Sequence, residues 1–172
     1  MGDKTQLLSL LLAARFRRPW PIALGILVAT LANHGLAAAA GGWIASRLGA
    51  EALRWTLAAG FLAMAVWIVI PDKLDGTAAG PARFGVLATT VTAFFLAEMG
   101  DKTQLATVAL AAQYGAYLAV VAGTTLGMML ANVPVVFLGG RLAHRIPLRL
   151  TRAIAAILFA LLGAALLVAP LP

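Results

Sequence analysis

Five apolar runs recur along this chain, at about Trp20 to Ala45, Leu53 to Ile70, Phe84 to Ala112, Tyr117 to Gly140 and Ala153 to Ala169. Each is long enough to cross a hydrocarbon core of roughly 30 Å. A sixth, Leu7 to Ala14, is too short to span alone. The chain is therefore expected to be an all-α polytopic membrane protein of six transmembrane helices, the first of them N-terminally truncated. Composition agrees, because with 62% of 172 residues hydrophobic and 11% charged a water-soluble domain would lack the polar surface to cover itself.

A formal charge of +7 would indicate a nucleic-acid partner in a soluble protein. Here the arginines fall in short connections between spans, where they set orientation, so no nucleic acid is expected and the partner is the lipid bilayer. With no cysteine, neither a disulfide framework nor a thiolate metal site is possible. Asp3 precedes the first apolar run and no small-residue cleavage site follows it, which argues against a cleavable signal. Gln6 stands where myristoylation requires Ser or Thr. Trp20, Trp43, Trp55 and Trp67 fall near span ends and read as headgroup anchors. Gly123-x-x-x-Gly127 reads as a helix-packing motif. No feature specifies an oligomeric state.

The sequence matches itself at an offset of 98 residues: Gly2-Asp3-Lys4-Thr5-Gln6-Leu7 recurs as Gly100-Asp101-Lys102-Thr103-Gln104-Leu105. The same offset, without a gap, pairs Gly25 with Gly123, Gly41-Gly42 with Gly139-Gly140, Arg47 with Arg145 and Phe61 with Phe159. The chain is a duplication. Residues 1–73 form one three-helix repeat, 74–83 a short cytoplasmic linker and 84–172 the second repeat. Three is odd, so the second repeat must enter the membrane from the opposite side. Arg15, Arg17, Arg18, Lys73, Arg83, Arg141, Arg145, Arg149 and Arg152 then share one side, against Arg47 and Arg54 on the other. By the positive-inside rule the Arg-rich loops are cytoplasmic and both termini lie outside.

Within Phe84 to Ala112, the cluster Glu98-Met99-Gly100-Asp101-Lys102-Thr103-Gln104 begins near the middle of the span. Ionised side chains at bilayer depth are costly and normally face a bundle interior or an aqueous cavity. Glu98 and Asp101 are spaced i, i+3, which puts both carboxylates on one helix face where they can share a ligand, Gln104 extends that face, and Gly100 between them admits a neighbouring backbone or an ion. Oxygen donors alone suit Ca²⁺ or Mn²⁺ better than soft metals. Glu98, Asp101 and Lys102 sum to one negative charge, and a complete first copy around Asp3 and Lys4 would do the same. One divalent cation, or protons when it leaves, would neutralise the pair. That is the chemistry of a cation/proton exchanger. The other reading of Asp3 with Lys4 and Asp101 with Lys102 is as buried ion pairs that only fix packing. Asn33, His34 and Asn132 also lie deep in their spans, with His34 aligned to Asn132 by the repeat. They are expected to line the same cavity or to satisfy neighbouring backbone. Met128 and Met129 read as core or lipid contacts.

At these residues the sequence resembles the family of cation/proton exchangers with two Glu-x-Gly-Asp-Lys/Arg-Thr/Ser motifs, which includes Golgi transmembrane-protein-165-like members and bacterial manganese exporters. The likeness covers essentially the whole chain. It implies Mn²⁺, or else Ca²⁺, exchanged for protons across a bacterial inner membrane, with metal exported from the cytoplasm and both termini in the periplasm. Metal would be bound transiently as cargo, with no resident cofactor. The resemblance places Glu98, Asp101 and Asp3 at the acidic positions. Gln104 and Gln6 are candidate further ligands, supported by Lys4, Lys102, Thr5, Thr103, Gly2 and Gly100, with His34, Asn33 and Asn132 around them. The first motif departs from the pattern, because Met1 aligns with Met99 and nothing aligns with Glu98. An authentic start upstream is expected, adding roughly fifteen residues and the missing glutamate if the first span is to match its twin in length.

Two other classes compete. An exporter of amino acids or small organic cations on a similar six-helix plan ranks lower, since no segment reads as a broken helix that would bind a carboxylate. An intramembrane aspartyl hydrolase would use Asp3 and Asp101, but a lysine beside each works against the shared proton such a dyad needs. The chain is not expected to be an enzyme.

Overall fold

Pro19 and Pro21 stand in the first turn of the longest helix, where a backbone N–H is not needed and a fixed φ helps to start the turn. In a computed structural model, which describes residues 3–70, 85–138 and 148–168, that helix is α2 (Pro19–Arg47), preceded by α1 (Asp3–Phe16) and followed by α3 (Ala50–Trp67). Then come α4 (Gly85–Glu98), α5 (Lys102–Tyr114), α6 (Tyr117–Leu138) and α7 (Leu148–Val168). All seven elements among the described residues are helical. The linker 74–83, Gly2, Gly139 and Gly140, and the basic residues Lys73, Arg83, Arg141 and Arg145 lie outside the described residues, as does the side chain of Asp3.

At 29 residues, α2 is about 44 Å long, and α4, α5 and α6 all pack along it. Two glycines set the closest approaches. A Cβ on Gly25 would stand 2.7 Å from Cβ of Thr90 on α4, and one on Gly41 would collide with the carbonyl oxygen of Val108 on α5. The Gly123 and Gly127 pair behaves otherwise than expected: an added Cβ at either meets nothing within 4 Å among the described residues. Helix approach rests instead on Gly25, Gly41 and Gly163, the last facing Leu62 and the Ala58 carbonyl.

Two apolar clusters hold the helices together. Leu8, Leu12, Ile22, Ile26, Phe94 and Val136 join α1, α2, α4 and α6. Leu57, Phe61, Met64, Ala106, Phe159 and Leu166 join α3, α5 and α7. The outer faces are apolar as well: Leu118, Leu126 and Leu130 on α6 and Ile154, Ile157, Leu158 and Leu161 on α7 are all exposed. Soluble monomers do not display apolar surface on this scale. Lipid accounts for it.

One of the five expected runs is divided in the structure. Among the described residues three helices are long and apolar enough to cross a membrane, α2, α6 and residues Arg149–Val168 of α7. α3 spends its first turns on Glu51 and Arg54, which shortens its apolar part. The run Phe84 to Ala112 is divided into α4 and α5.

Candidate functional site

The division falls inside the motif. Gly100 has φ +72°, a left-handed conformation that only glycine adopts freely, and it stops α4 at Glu98 and restarts the chain as α5 at Lys102. Asp101 is extended at the N-cap of α5. Glu98 and Asp101 therefore do not share one helix face, as a continuous helix would require. They flank a break, and a segment expected to be unbroken is discontinuous. The two half-helices bring a partly negative C-terminal end and a partly positive N-terminal end to the break.

Gln104 holds the break closed. Its Oε1 accepts the Gly100 N–H at 2.7 Å and its Nε2 donates to Oδ1 of Asn33 at 3.0 Å. Asn33 Nδ2 donates in turn to the Phe95 carbonyl at 3.0 Å and to Oε2 of Glu98 at 3.4 Å. Thr30 Oγ1 donates to Oε1 of Glu98 at 3.0 Å. Glu98 is 1% exposed, so both carboxylate oxygens face α2 rather than lipid. Thr103 Oγ1 lies 3.5 Å from Oδ2 of the buried Asp101. The motif thus docks on α2, and of the expected residues Glu98, Gln104 and Asn33 form one network, with Gly100 as its hinge.

Lys102 turns away from this network. Its Nζ donates to the carbonyl of Ile70 and lies 5.5 Å from the centre of the Trp67 ring. It thereby ties the start of α5 to the end of α3. Lys4 behaves differently, since Glu98 interacts electrostatically with both Asp101 and Lys4. A charge from the first motif reaches the carboxylate of the second.

The rest of the first motif docks on α6. Gln6 Nε2 donates to the Ala131 carbonyl at 3.1 Å, Thr5 Oγ1 points at Sδ of Met128 at 3.9 Å, and Ser9 Oγ donates to Oδ1 of Asn132 at 3.1 Å. Met128 is thus a buried neighbour of the motif rather than a lipid contact. Gln104 meets position 33 and Gln6 meets position 131, and both pairs differ by the same 98 residues. The two docking surfaces are unequal in chemistry. Thr30 and Asn33 of α2 correspond to Met128 and Ala131 of α6, so the carboxylate cradle has no polar counterpart in α6.

Thr30 and Ser9 were not legible as site residues. The one signal was spacing, three residues before Asn33 for Thr30, and an isolated hydroxyl in an apolar helix more often bonds its own backbone. His34, 1% exposed, has no hydrogen-bond partner for either ring nitrogen among the described residues. No three His, Asp or Glu side chains converge into a closed metal cage among the described residues.

A buried carboxylate at a helix break, ringed by amide and hydroxyl groups inside an apolar bundle, is an arrangement in keeping with a membrane transporter. The chain belongs to the GDT1 family of divalent cation/proton antiporters, whose model matches residues 1–76 and 86–171. It is 54% identical over 166 residues to a Vibrio cholerae protein named "Putative manganese exporter", covering 96% of this chain and 82% of that one. It is 29% identical over 180 residues to a GDT1-like protein of Synechocystis, covering 92% and 86%. No solved structure matches the chain. The family is one of transporters, and the aspartyl hydrolase reading falls away with it.

Proposed function

We propose that this chain exchanges Mn²⁺ for protons and exports the metal from the cytoplasm across a bacterial inner membrane. The observation that carries the reading is the Glu98 carboxylate, fully buried yet held by two neutral donors, Thr30 and Asn33. Neutral donors steady a carboxylate without cancelling its charge, so it remains free to take either a cation or a proton. A divalent ion would be bound by Glu98 and Asp101 across the break, with Asp3 as the first-motif counterpart. Gln104 and Gln6, both engaged with the opposite repeat, shape the site through their amides. Thr5 and Thr103, Lys4, Gly2, Asn33 and Asn132 support it, while Lys102 anchors the start of α5 to the end of α3.

The topology proposed is six spans in two inverted repeats, 1–73 and 84–172 joined by a cytoplasmic linker, with both termini periplasmic. Its support is the reciprocal docking of Gln104 on position 33 and Gln6 on position 131. The V. cholerae relative's name favours manganese and export. Calcium is the second cargo, because carboxylate and amide oxygens suit it equally. The cargo is bound transiently, and no resident cofactor is required.

The test is flux in proteoliposomes that enclose a pH-sensitive dye, with Mn²⁺, Ca²⁺ and Mg²⁺ supplied in turn. Mn²⁺ uptake is expected to release protons to the opposite side, and Glu98→Gln to abolish both movements. Proton-independent flux, or flux untouched by Glu98→Gln, refutes the reading.

A further inference from the structure

One helix cap is built twice in this chain, with different residues. In the second repeat Gly115 ends α5 at φ +62°, and its N–H closes on the Ala111 carbonyl at 3.0 Å. In the first repeat Arg17 ends α1 at φ +51°, and its N–H closes on the Ala13 carbonyl at 3.0 Å. Donor and acceptor are each displaced by the same 98 residues. Glycine enters the left-handed region freely, whereas a side chain there strains the backbone. Among the described residues, Arg17 is the only non-glycine with positive φ. Orienting a span requires basic residues on one side of the bilayer, and an unstrained neighbouring position would meet that need equally well. The charge is instead held at the one place in the turn that disfavours it.

The surface around Arg17 has a cationic zone and an apolar one. Arg15, Arg17 and Arg18 are all exposed, and the side chains of Arg17 and Arg18 hold no hydrogen bond or ion pair among the described residues. No acidic residue stands in the first turn of α2 to neutralise them. The helix end itself adds little, since Pro19 and Pro21 carry no N–H, so the positive field is that of the side chains. The apolar zone begins two residues later. Trp20, Leu24, Val28 and Leu31 recur at helical spacing along the outer face of α2 and are 44 to 70% exposed. Phe137 of α6 braces the Trp20 ring edge-on, with centroids 5.2 Å apart, and a tryptophan so placed marks the headgroup layer.

We propose that this turn binds an anionic phospholipid, with the headgroup phosphate on Arg17 and Arg18 and an acyl chain along Trp20, Leu24 and Val28. The guanidinium fork matches phosphate oxygens in shape and charge. A free anion would use the arginines and leave the stripe uncovered. A lipid without net charge would cover the stripe and leave the arginines uncompensated. An amphiphile with a negative head satisfies both zones. The second repeat has no such site, because Gln113-Tyr114-Gly115-Ala116 is neutral at the corresponding turn.

Native mass spectrometry of the full chain in detergent tests this, with phosphatidylglycerol and phosphatidylcholine of the same acyl chains titrated separately. The expected result is retention of phosphatidylglycerol at a concentration about tenfold or more below that needed for phosphatidylcholine. Arg17→Gly installs the residue that the other repeat uses, so it should unfold no more easily than wild type in lipid-free detergent. It should nevertheless weaken phosphatidylglycerol binding about fivefold, and adding Arg18→Gln should weaken it about fivefold again. Arg47→Gln, beside the exposed Trp43, should leave the preference unchanged. Equal retention of the two lipids by the wild type overturns the proposal, as does a preference that survives the double variant or falls as far in Arg47→Gln. Inorganic phosphate that displaced phosphatidylglycerol at equal concentration would overturn the lipid assignment in favour of a site for free anions.

Discussion

The ring of Phe61 on α3 stacks on that of Phe159 on α7, with centroids 5.8 Å apart and planes inclined by 26°. The two residues are each other's repeat counterparts, 98 positions apart, so the contact lies where the halves meet. Phe61 is fully buried and Phe159 is 7% exposed. Truncating Phe61 to Ala should leave a cavity and destabilise the fold by about 3 to 5 kcal/mol. Thermal unfolding in detergent measures this, and Phe61→Leu should cost clearly less.

Gly100 can be tested for backbone conformation alone, because an added Cβ there meets nothing within 4 Å. Alanine at φ +72° is strained by about 1 to 2 kcal/mol, which favours straightening the break. Gly100→Ala should reduce transport while leaving the chain folded, and Gly100→Asn, which tolerates the left-handed region, should retain more. Equal activity in the two variants would show that the break has no part in transport.

Removing the Thr30 hydroxyl deletes a hydrogen bond to a charged group, worth about 1.5 to 3 kcal/mol. Thr30→Val should therefore raise the KM for the metal about tenfold or more at constant expression. Met128, its repeat counterpart, makes no contact with Glu98 among those described, so Met128→Leu should leave KM nearly unchanged.

Lys102 bonds the Ile70 carbonyl and covers Trp67, away from Glu98. Lys102→Met keeps the aliphatic stem but leaves that carbonyl without its charged donor, a loss of about 1 to 3 kcal/mol. The variant should be less stable to heat while metal affinity stays close to wild type. A large fall in affinity with unchanged stability would place Lys102 in the site instead.

Metal binding to carboxylates displaces protons. The apparent Kd for Mn²⁺ should rise as pH falls, and Glu98→Gln should flatten that dependence as well as weaken binding. Calorimetry in buffers of different ionisation enthalpy counts the protons released.

Much of this was written along the chain. Length and apolarity of the runs dictate helices in lipid, since a spanning backbone must satisfy itself. The duplication is visible as six identical residues. The acidic positions stand out because charge in an apolar run is costly enough to need a reason. Glu98, Gln104 and Asn33, found in this way, do meet in the fold.

What spacing could not convey is where a helix stops. The Phe84 to Ala112 run has the length and apolarity of a single span, and Gly100 by itself does not mark a break, since a helix tolerates one glycine at a cost of about 1 kcal/mol. The break is stable because Gln104 and Asn33, 71 residues apart, close it from another helix. Packing likewise sent Lys102 to the end of α3 and brought Thr30 to Glu98, across 68 residues. Local periodicity reports which face of a helix is apolar. The partner of a buried polar atom comes from a segment distant in the chain, and only the packed bundle supplies it.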